Sequence, residues 1–339
     1  MPDTPGKPYR HGLIVGKFAP LHRGHMLVLD RALAECERVS VWVYSRPDFP
    51  DMPSPLRRNW LRALYPARLF PGLELLPDAP NPPLNTEPDE VHRAYVRSVL
   101  DGWGVHPDAV YTSEEYGEAF AASLGATHVC VDRARVVVPV SGTALRADIH
   151  SLRHFLDPLV YAHFVRRVVI LGAESTGKST LTQALGESFN TAWVREYGRD
   201  VYERENGALT LEHFLEIARG HRALENEAMT SPGVHRWVFS DTDAATTLMW
   251  SYLLTGTARP ELHALADDCR TRYAHVFLCD TDLPHEQDGW RANTEVRGVQ
   301  QAFIRQDLAS RGVPYTVVRG TVSERVAQVQ AALKAYGGA

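Results

Sequence analysis

One stretch in the second half of this 339-residue chain decides its fold: Val168-Val169-Ile170-Leu171-Gly172-Ala173-Glu174-Ser175-Thr176-Gly177-Lys178-Ser179-Thr180. Its apolar start predicts a buried strand, and the loop that follows has the spacing Gly-x4-Gly-Lys-Ser and opens a helix. In such a P-loop the backbone amides cradle phosphates, Lys178 reaches the β- and γ-phosphates, and Ser179 binds Mg²⁺. The residues expected to contact the ATP phosphates are Gly172, Glu174, Ser175, Thr176, Gly177, Lys178, Ser179 and Thr180.

Strand-like and helix-like stretches alternate on both sides of the P-loop, which predicts an α/β protein with mainly parallel sheets covered by helices. At 339 residues the chain exceeds the usual size of one domain, and the alternation starts again just before the P-loop. We therefore predict two domains, at residues 12–165 and 166–339, after a flexible tail at residues 1–11. Late in the first domain we expect a strand at residues 135–140 and a closing helix at residues 151–164.

A second phosphate-handling motif lies near the start of the chain, Gly16-Lys17-Phe18-Ala19-Pro20-Leu21-His22-Arg23-Gly24-His25. It follows a strand-like run and leads into a helix, where free backbone N–H groups and the helix dipole favour anions. His22 and His25 are three residues apart, so both imidazoles can face one ligand and donate hydrogen bonds to phosphate oxygens. A metal site and a capped loop with incidental histidines are the alternatives.

A later stretch, Ser141-Gly142-Thr143-Ala144-Leu145-Arg146, supports the phosphate interpretation. The hydroxyls of Ser141 and Thr143 and the next backbone amides would lie at another helix start. Arg146 follows one turn later and can pair with a phosphate through two parallel hydrogen bonds. An ordinary serine cap with a surface arginine is the alternative.

Acidic residues after two strand-like runs of the second half are candidate Mg²⁺ ligands. A P-loop enzyme holds its Mg²⁺ with a carboxylate at the end of a neighbouring strand, and Asp241 follows the apolar run at residues 237–239. Asp280 and Asp282, after residues 276–278, are the alternatives. We favour Asp241 because Asp280 leads into a polar segment that is typical of a lid.

The lid-like segment covers residues 283–297 and contains Arg291 and Arg297. Such arginines can close over a phosphate during its transfer. A solvated surface loop is the alternative.

Residues on the acceptor side of the second domain are predicted from their positions relative to the strands. Glu196 and Tyr197 follow the strand at residues 193–194, where Glu196 could bind a ribose hydroxyl or form a surface salt bridge. Trp250 and Trp290 could sandwich a flat cationic ring, or pack in the core. Asp243 is the remaining acceptor candidate. The catalytic base, if one is needed, stays open among Asp241, Asp243 and Glu196.

The two motifs of the first half resemble the nucleotidylyltransferase superfamily, in particular nicotinamide mononucleotide adenylyltransferases, which implies a Rossmann-like fold. In that family the mononucleotide phosphate attacks the α-phosphorus of ATP directly, so catalysis consists of positioning and charge stabilisation. The resemblance places Lys17 near the α-phosphate and Trp103 against the nicotinamide, although core packing of Trp103 is equally compatible. It implies ATP contacts from Gly16, Lys17, Phe18, His22, His25, Ser141, Gly142, Thr143 and Arg146.

The whole chain resembles the NadR-type family of bifunctional nicotinamide mononucleotide (NMN) adenylyltransferases and ribosylnicotinamide kinases. The matching segments include Val131-Asp132-Arg133, Val140-Ser141-Gly142-Thr143, the P-loop, Arg195-Glu196-Tyr197 and Asp241-Thr242-Asp243. The resemblance implies that the second domain phosphorylates nicotinamide riboside to NMN with ATP and Mg²⁺. The first domain would then convert NMN and ATP to NAD and pyrophosphate. The implied catalytic residues are His22, His25, Lys178 and Asp241.

Two other functions remain open at this point. The same two reactions could use another nucleoside and mononucleotide, because phosphate motifs do not specify the base. The chain could also be a nucleotide sensor with weak turnover, although the intact phosphate motifs count against this. Some family members carry an N-terminal helix-turn-helix and bind DNA. Here the first strand begins near Gly12, which leaves no room for that module, so we expect no DNA binding.

Composition and charge limit the kinds of binding partner and the cellular location that we expect. The net charge of −5 provides no basic excess for a nucleic-acid surface. No apolar run approaches the ~20 residues that cross a bilayer, and the N-terminus does not have the form of a signal peptide. The four cysteines form no C-x-x-C pair and are expected to be buried thiols. We therefore expect a cytoplasmic protein whose partners are small molecules, and a homo-oligomer is compatible with the family.

Overall fold

The computed structural model describes residues 6–283 and 294–336, and the chain divides into two compact units, residues 1–161 and 162–339. Within the described residues each unit contains one five-stranded sheet, and the paired strands run parallel. Helices follow the strands in both units, since a parallel pair needs a crossover connection. The predicted α/β class with two parallel sheets is confirmed.

The sheet of unit 1 has the strand order β3-β2-β1-β4-β5. Its elements are, in chain order, β1 (Tyr9–Gly16), α1 (Arg23–Glu35), β2 (Cys36–Val43), α2 (Ser54–Leu64), β3 (Leu73–Leu75), α3 (Asp89–Gly102), β4 (Ala109–Thr112), α4 (Gly117–Ser123), β5 (Thr127–Cys130), α5 (Gly142–Ala147) and α6 (Pro158–Tyr161). The central strand β1 therefore ends at the histidine motif, and the motif lies at the carboxyl edge of the sheet.

The sheet of unit 2 has the order β10-β9-β6-β8-β7. Its elements are β6 (Arg166–Leu171), α7 (Lys178–Ser188), β7 (Trp193–Val194), α8 (Gly198–Arg204), α9 (Leu211–Met229), β8 (Trp237–Asp241), α10 (Ala244–Thr255), α11 (Pro260–Arg272), β9 (His275–Cys279), α12 (Thr294–Ser310), β10 (Thr316–Val318) and α13 (Val322–Tyr336). The central strand β6 ends at the P-loop. Both phosphate motifs thus occupy the strand ends where open parallel sheets bind ligands.

Both faces of the second sheet are covered. Val168 and Ile170 point into one apolar cluster, and Val169 and Leu171 point into another, as the two-residue period of a strand requires. This double burial explains why the strand before the P-loop is apolar at every position from Val168 to Leu171.

Two secondary-structure predictions for residues 135–164 are wrong. Residues 135–140 form no strand, because the Asp132 carboxylate accepts the amides of Val136, Val137 and Val138 at 2.9–3.1 Å, so these amides are not free for strand pairing. Residues 151–164 form a 3₁₀ turn, the short helix α6 and a second 3₁₀ turn instead of one helix. Pro158 accounts for the interruption because it has no N–H and restricts the residue before it.

Two further observations concern the cysteines and membranes. Cys36, Cys269 and Cys279 are buried thiols, whereas Cys130, at the end of β5, is exposed, which corrects the expectation for that residue. Among the described residues, no helix combines the length and apolar character needed to cross a membrane.

Candidate active sites

The P-loop lies between β6 and α7 in a tight, internally bonded conformation. Its two glycines have φ angles that other residues avoid, 151° at Gly172 and 79° at Gly177. A Cβ on Gly172 would lie 2.6 Å from Thr176 Oγ1, so a larger residue would displace the loop. Thr176 Oγ1 and Lys178 Nζ donate to the carbonyl of Ala173 at 2.7 and 3.0 Å. The loop is therefore preorganised, with its lysine folded over it.

Side chains of α12 and α13 brace the P-loop, and sequence reasoning missed them. Gln300 Oε1 and Gln301 Oε1 accept hydrogen bonds from successive loop amides, each at 2.9 Å. Arg325 is 1% exposed and donates to the carbonyl of Thr176 at 2.5 Å. No local signal marks these residues, because they are ordinary polar positions in helices more than 100 residues away from the loop.

The lid prediction can be followed only in part. The Arg297 guanidinium donates to the carbonyls of Leu283 at 2.9 Å and Ser175 at 3.3 Å, so in this structure it holds the P-loop backbone. Arg297 is 5% exposed, and its bonds to carbonyls occupy donors that the prediction assigned to phosphate. Trp290 and Arg291 lie outside the described residues.

Two carboxylates, the buried Asp241 and the half-buried Glu196, lie near the P-loop lysine. Asp241 ends β8, and Glu196 follows β7. Burial raises the pKa of both carboxyls, while the positive charges of Lys178 and Arg199 oppose the rise. Each carboxylate therefore accepts a proton more readily than an exposed one does. Arg199 is a further residue of this site that sequence reasoning missed.

The surroundings of Asp241 fit a bound Mg²⁺. Its Oδ1 is buried without a hydrogen-bond partner among the described residues, while its carboxylate accepts the Ser179 hydroxyl. An unpaired buried carboxylate oxygen next to a hydroxyl is a donor set suited to a hard cation. Both alternatives are engaged in ion pairs, Asp280 with Arg319 at 2.6 Å and with Arg305 at 3.5 Å, and Asp282 with Arg325 at 2.5 Å.

The P-loop forms one wall of a cavity of about 1340 Å³. This volume exceeds the ~300–1,000 Å³ of a typical single-ligand pocket, so the cavity has room for more than one ligand. Glu196 and Trp250 line the cavity, as do all the P-loop residues that the sequence predicted to contact phosphate. Away from the P-loop the wall combines apolar side chains, including Leu209, Phe214, Ile217, Leu253 and Leu254, with polar ones, including Arg199, Glu203, Asn206 and His221.

Two residues predicted to bind the acceptor have other roles. The buried Asp243 carboxylate caps α10, accepting the Thr246 amide at 2.8 Å and the Thr246 hydroxyl at 2.9 Å. The Tyr197 ring packs against α9, where a Cβ on Gly220 would lie 2.2 Å from it. Neither side chain is part of the cavity wall, because Asp243 caps the start of α10 and Tyr197 packs against the apolar core.

In unit 1 the histidine motif forms a capped helix start. His22 caps α1, with Nδ1 accepting the Gly24 amide at 3.1 Å, and His25 Nδ1 accepts the His22 amide at 3.4 Å. The centroids of the two imidazole rings lie 3.8 Å apart. Since both Nδ1 atoms are acceptors, each neutral ring carries its proton on Nε2, where it can donate to a ligand. The described residues contain no group of three or more His, Cys, Asp or Glu arranged to hold a metal.

The electrostatics of unit 1 keep both imidazoles neutral near pH 7. Burial lowers the pKa of His22 to about 4, and the charges of Arg135 and Arg146 contribute. Burial also lowers the pKa of His25 well below its usual value, with His22 adding to the effect. Two neutral N–H donors and two arginines therefore face the site. Arg135 lines the cavity but was missed by sequence reasoning, because no motif includes it.

The second motif of unit 1 also reaches this site. Ser141 caps α5 by accepting the Ala144 amide at 3.1 Å. Arg146 donates to the carbonyl of Ala19 at 2.6 Å and to Thr143 Oγ1 at 3.0 Å, which links α5 to the histidine motif. The cavity here measures about 530 Å³. Its walls include every residue predicted for this ATP site: Gly16, Lys17, Phe18, His22, His25, Ser141, Gly142, Thr143 and Arg146.

One residue predicted for the nicotinamide lies elsewhere. Trp103 follows α3, is half-buried and packs against an apolar cluster that contains Trp42, with the two ring centroids 5.1 Å apart. It does not line the cavity. Aromatic side chains that do line the cavity are those of Phe18, Tyr44, Tyr111, Tyr116 and Phe120.

Comparison with known proteins agrees with this architecture. A sequence model of the AAA domain family matches residues 167–325, the part that contains the P-loop. Solved structures of NadR proteins have the same fold over nearly the whole chain. The complex with NAD and AMP-PNP has a TM-score of 0.70 at 20% identity and covers 98% of this chain and 97% of its own. The complex with NR has a TM-score of 0.68 at 21% identity, with the same coverage.

Similarity in sequence is higher to two curated relatives. The Trifunctional NAD biosynthesis/regulator protein NadR of Escherichia coli (strain K12) is 30% identical over 302 residues, which are 83% of this chain and 71% of the relative. The protein of the same name from Salmonella typhimurium is 28% identical, covering 86% of this chain and 73% of the relative. With this level of identity over most of both chains, the protein described here belongs to the NadR family.

Proposed function

We propose that this protein is a bifunctional NAD salvage enzyme with one reaction in each unit. Unit 2 would phosphorylate nicotinamide riboside with ATP, and unit 1 would join the resulting NMN to AMP from a second ATP. The observation that carries the proposal is the grouping of Lys178 and Glu196 in the wall of one large cavity, with the buried Asp241 close to both, in a chain that holds a second phosphate cavity. The names of its relatives, which refer to NAD biosynthesis, and the NAD, NR and AMP-PNP bound in solved NadR structures support the choice of substrates.

In the kinase step, the 5′-oxygen of the riboside forms a bond to the γ-phosphorus of ATP, and the bond to the β–γ bridging oxygen breaks to release ADP. Lys178 and the loop amides stabilise the charge on the phosphates. Glu196 takes the hydroxyl proton, which its raised pKa favours. Ser179 and Asp241 would hold Mg²⁺, which when bound neutralises phosphate charge.

In the adenylyl step, a phosphate oxygen of NMN attacks the α-phosphorus of ATP and pyrophosphate leaves. The attacking phosphate is already ionised, so this step needs no base. The Nε2–H groups of His22 and His25 and the guanidinium of Arg146 would donate to the phosphates as charge moves onto pyrophosphate. Because the rings are held by backbone amides, they need little reorganisation for this role.

A product assay tests the proposal. The full chain is incubated with nicotinamide riboside, ATP and Mg²⁺, and NMN and NAD are separated by chromatography. We expect wild type to produce NAD, Lys178→Ala to leave the riboside unused, and His25→Ala to accumulate NMN. Lys178→Ala supplied with NMN should still produce NAD. The exposed Lys334 and His106 provide matched control variants, Lys334→Ala and His106→Ala.

Two outcomes would refute the assignment. If the riboside stays unused while other nucleosides are phosphorylated, the substrate is wrong although the chemistry stands. If ATP and NAD bind but no substrate turns over, a nucleotide sensor explains the protein better.

A further inference from the structure

A buried histidine in the wall of the unit 2 cavity has no role in the mechanism above. His221 lies on α9, on the same helical face as Phe214 and Ile217, which also line the cavity. Its side chain is buried, with 3% of the residue exposed. A polar ring on this otherwise apolar face needs a physical explanation.

Hydrogen bonds behind the ring determine which nitrogen carries the proton. Glu225 is fully buried and accepts from Arg272 Nε at 2.7 Å, from Tyr273 Oη at 2.8 Å and from Ser240 Oγ at 2.7 Å. The single hydroxyl proton of Ser240 is thus committed to the carboxylate. Ser240 Oγ, 2.9 Å from His221 Nε2, can then only accept, so Nε2 is the protonated nitrogen.

The other ring nitrogen is consequently an acceptor without a donor. His221 Nδ1 is buried and has no hydrogen-bond partner among the described residues. An unpaired buried acceptor costs free energy, and native structures usually satisfy such atoms or use them for binding. A ligand that supplies a donor at this wall would remove the cost.

A second acceptor lies nearby. The Glu196 carboxylate lines the same cavity as His221. A ligand portion that suits two acceptors in one cavity carries several hydroxyl donors, as a sugar does.

We propose that His221 Nδ1 accepts a hydrogen bond from a sugar hydroxyl of the acceptor nucleoside, beside Glu196, and that it determines selectivity for the hydroxylated sugar. The inference rests on the proposed kinase function of unit 2. His221 is a specificity-determining residue, and Ser240 and Glu225 are positioning residues that hold the Nε2–H on the Ser240 side of the ring and leave Nδ1 as the acceptor.

Two substitutions separate this role from a structural one. In His221→Asn the side-chain amide occupies the place of Nδ1, so it keeps an acceptor at the cavity and loses the bond to Ser240. In His221→Gln the amide reaches the place of Nε2, so it keeps the bond to Ser240 and loses the acceptor. The kinase step of the full chain is measured for nicotinamide riboside and its 2′-deoxy and 3′-deoxy analogues, and thermal unfolding is followed in parallel.

We expect wild type to prefer the riboside over one deoxy analogue on the order of tenfold, as expected for one hydrogen bond. His221→Gln should lose this preference through a KM for the riboside that rises by about the same factor, with kcat changing less. His221→Asn should retain the preference even if it unfolds at a lower temperature.

Other results overturn the inference. A purely structural histidine predicts the reverse order, with His221→Gln behaving like wild type and His221→Asn impaired. Wild type that phosphorylates riboside and both deoxy analogues equally well also refutes it, and leaves the proposed function standing. Wild type that phosphorylates no riboside refutes the proposed function, and the inference with it.

Discussion

Acidification below pH 6.5 should destabilise the ligand-free protein through His22. Burial holds its pKa at about 4 in the folded state, against 6.5 for an exposed histidine. As the pH falls, the unfolded chain takes up the proton first, so protonation stabilises the unfolded state. The contribution of His22 to stability is therefore fully present above pH 6.5 and is lost as the pH falls towards 4.

The size of the effect follows from the two pKa values. Each pKa unit corresponds to about 1.36 kcal/mol, so a fall from 6.5 to about 4 is worth about 3.4 kcal/mol. At pH 5 the unfolded state is almost fully protonated at this site while the folded state is mostly neutral, and about 2 kcal/mol of the total is lost.

Urea unfolding of the full chain at pH 7.5 and pH 5 measures this loss, with His22→Asn as the comparison. Asparagine keeps an acceptor in the place of Nδ1 for the Gly24 amide but cannot be protonated. We expect the free energy of unfolding to fall by about 2 kcal/mol more in wild type than in His22→Asn. All other titrating groups are common to both proteins and largely cancel. Equal pH dependence in the two proteins would refute the reasoning, and the exposed His106→Asn should behave like wild type.

Further predictions concern unit 2. Gly172→Ala places a Cβ 2.6 Å from Thr176 Oγ1 at a φ of 151°, so the kinase step should fall at least about tenfold while adenylyl transfer from supplied NMN is unchanged. Asp243→Ala removes the cap of α10 and should lower the free energy of urea unfolding by about 1 kcal/mol. Glu225→Gln leaves the Arg272 guanidinium beside an uncharged amide and should lower the free energy of unfolding by about 3 kcal/mol.

Matched controls exist for these three variants. Gly233→Ala adds a methyl group where nothing lies within 4 Å, and normal kinase activity is expected. Asp243→Asn keeps a capping oxygen and should cost less than alanine. Glu227 is an exposed neighbour on α9, and Glu227→Gln should leave stability unchanged. Kinase activity retained in Gly172→Ala, or stability retained in Asp243→Ala or Glu225→Gln, would contradict the respective argument.

Features that depend on neighbours in the chain could be predicted. The P-loop and the histidine motif each combine a strand end, close backbone approach and a helix start within about ten residues, so their positions at the sheet edges follow from spacing alone. The α/β class follows from the alternation of strands and helices for the same reason. The NadR-type resemblance, based on these motifs, is confirmed by the curated relatives.

Features that depend on distant partners could not be predicted. Residues 135–140 have a composition suited to a strand, yet the Asp132 carboxylate takes the amides of this segment. Trp103 and Trp250 are equally good candidates for stacking by type, and both pack against the core, but only Trp250 also lines a cavity. Asp241 and Asp243 differ in the same way, because Asp243 caps α10 and Asp241 does not.

By itself the sequence determined the fold class, the two phosphate loops and the family, because backbone conformation and short-range spacing encode all three. Tertiary structure alone decided which side chains complete each site. Gln300, Gln301 and Arg325 brace a loop more than 100 residues away, and the proton position on His221 depends on a chain of contacts through Ser240 to Glu225. Such contacts form when separate elements pack together, and no local pattern records which partner a buried polar group will meet.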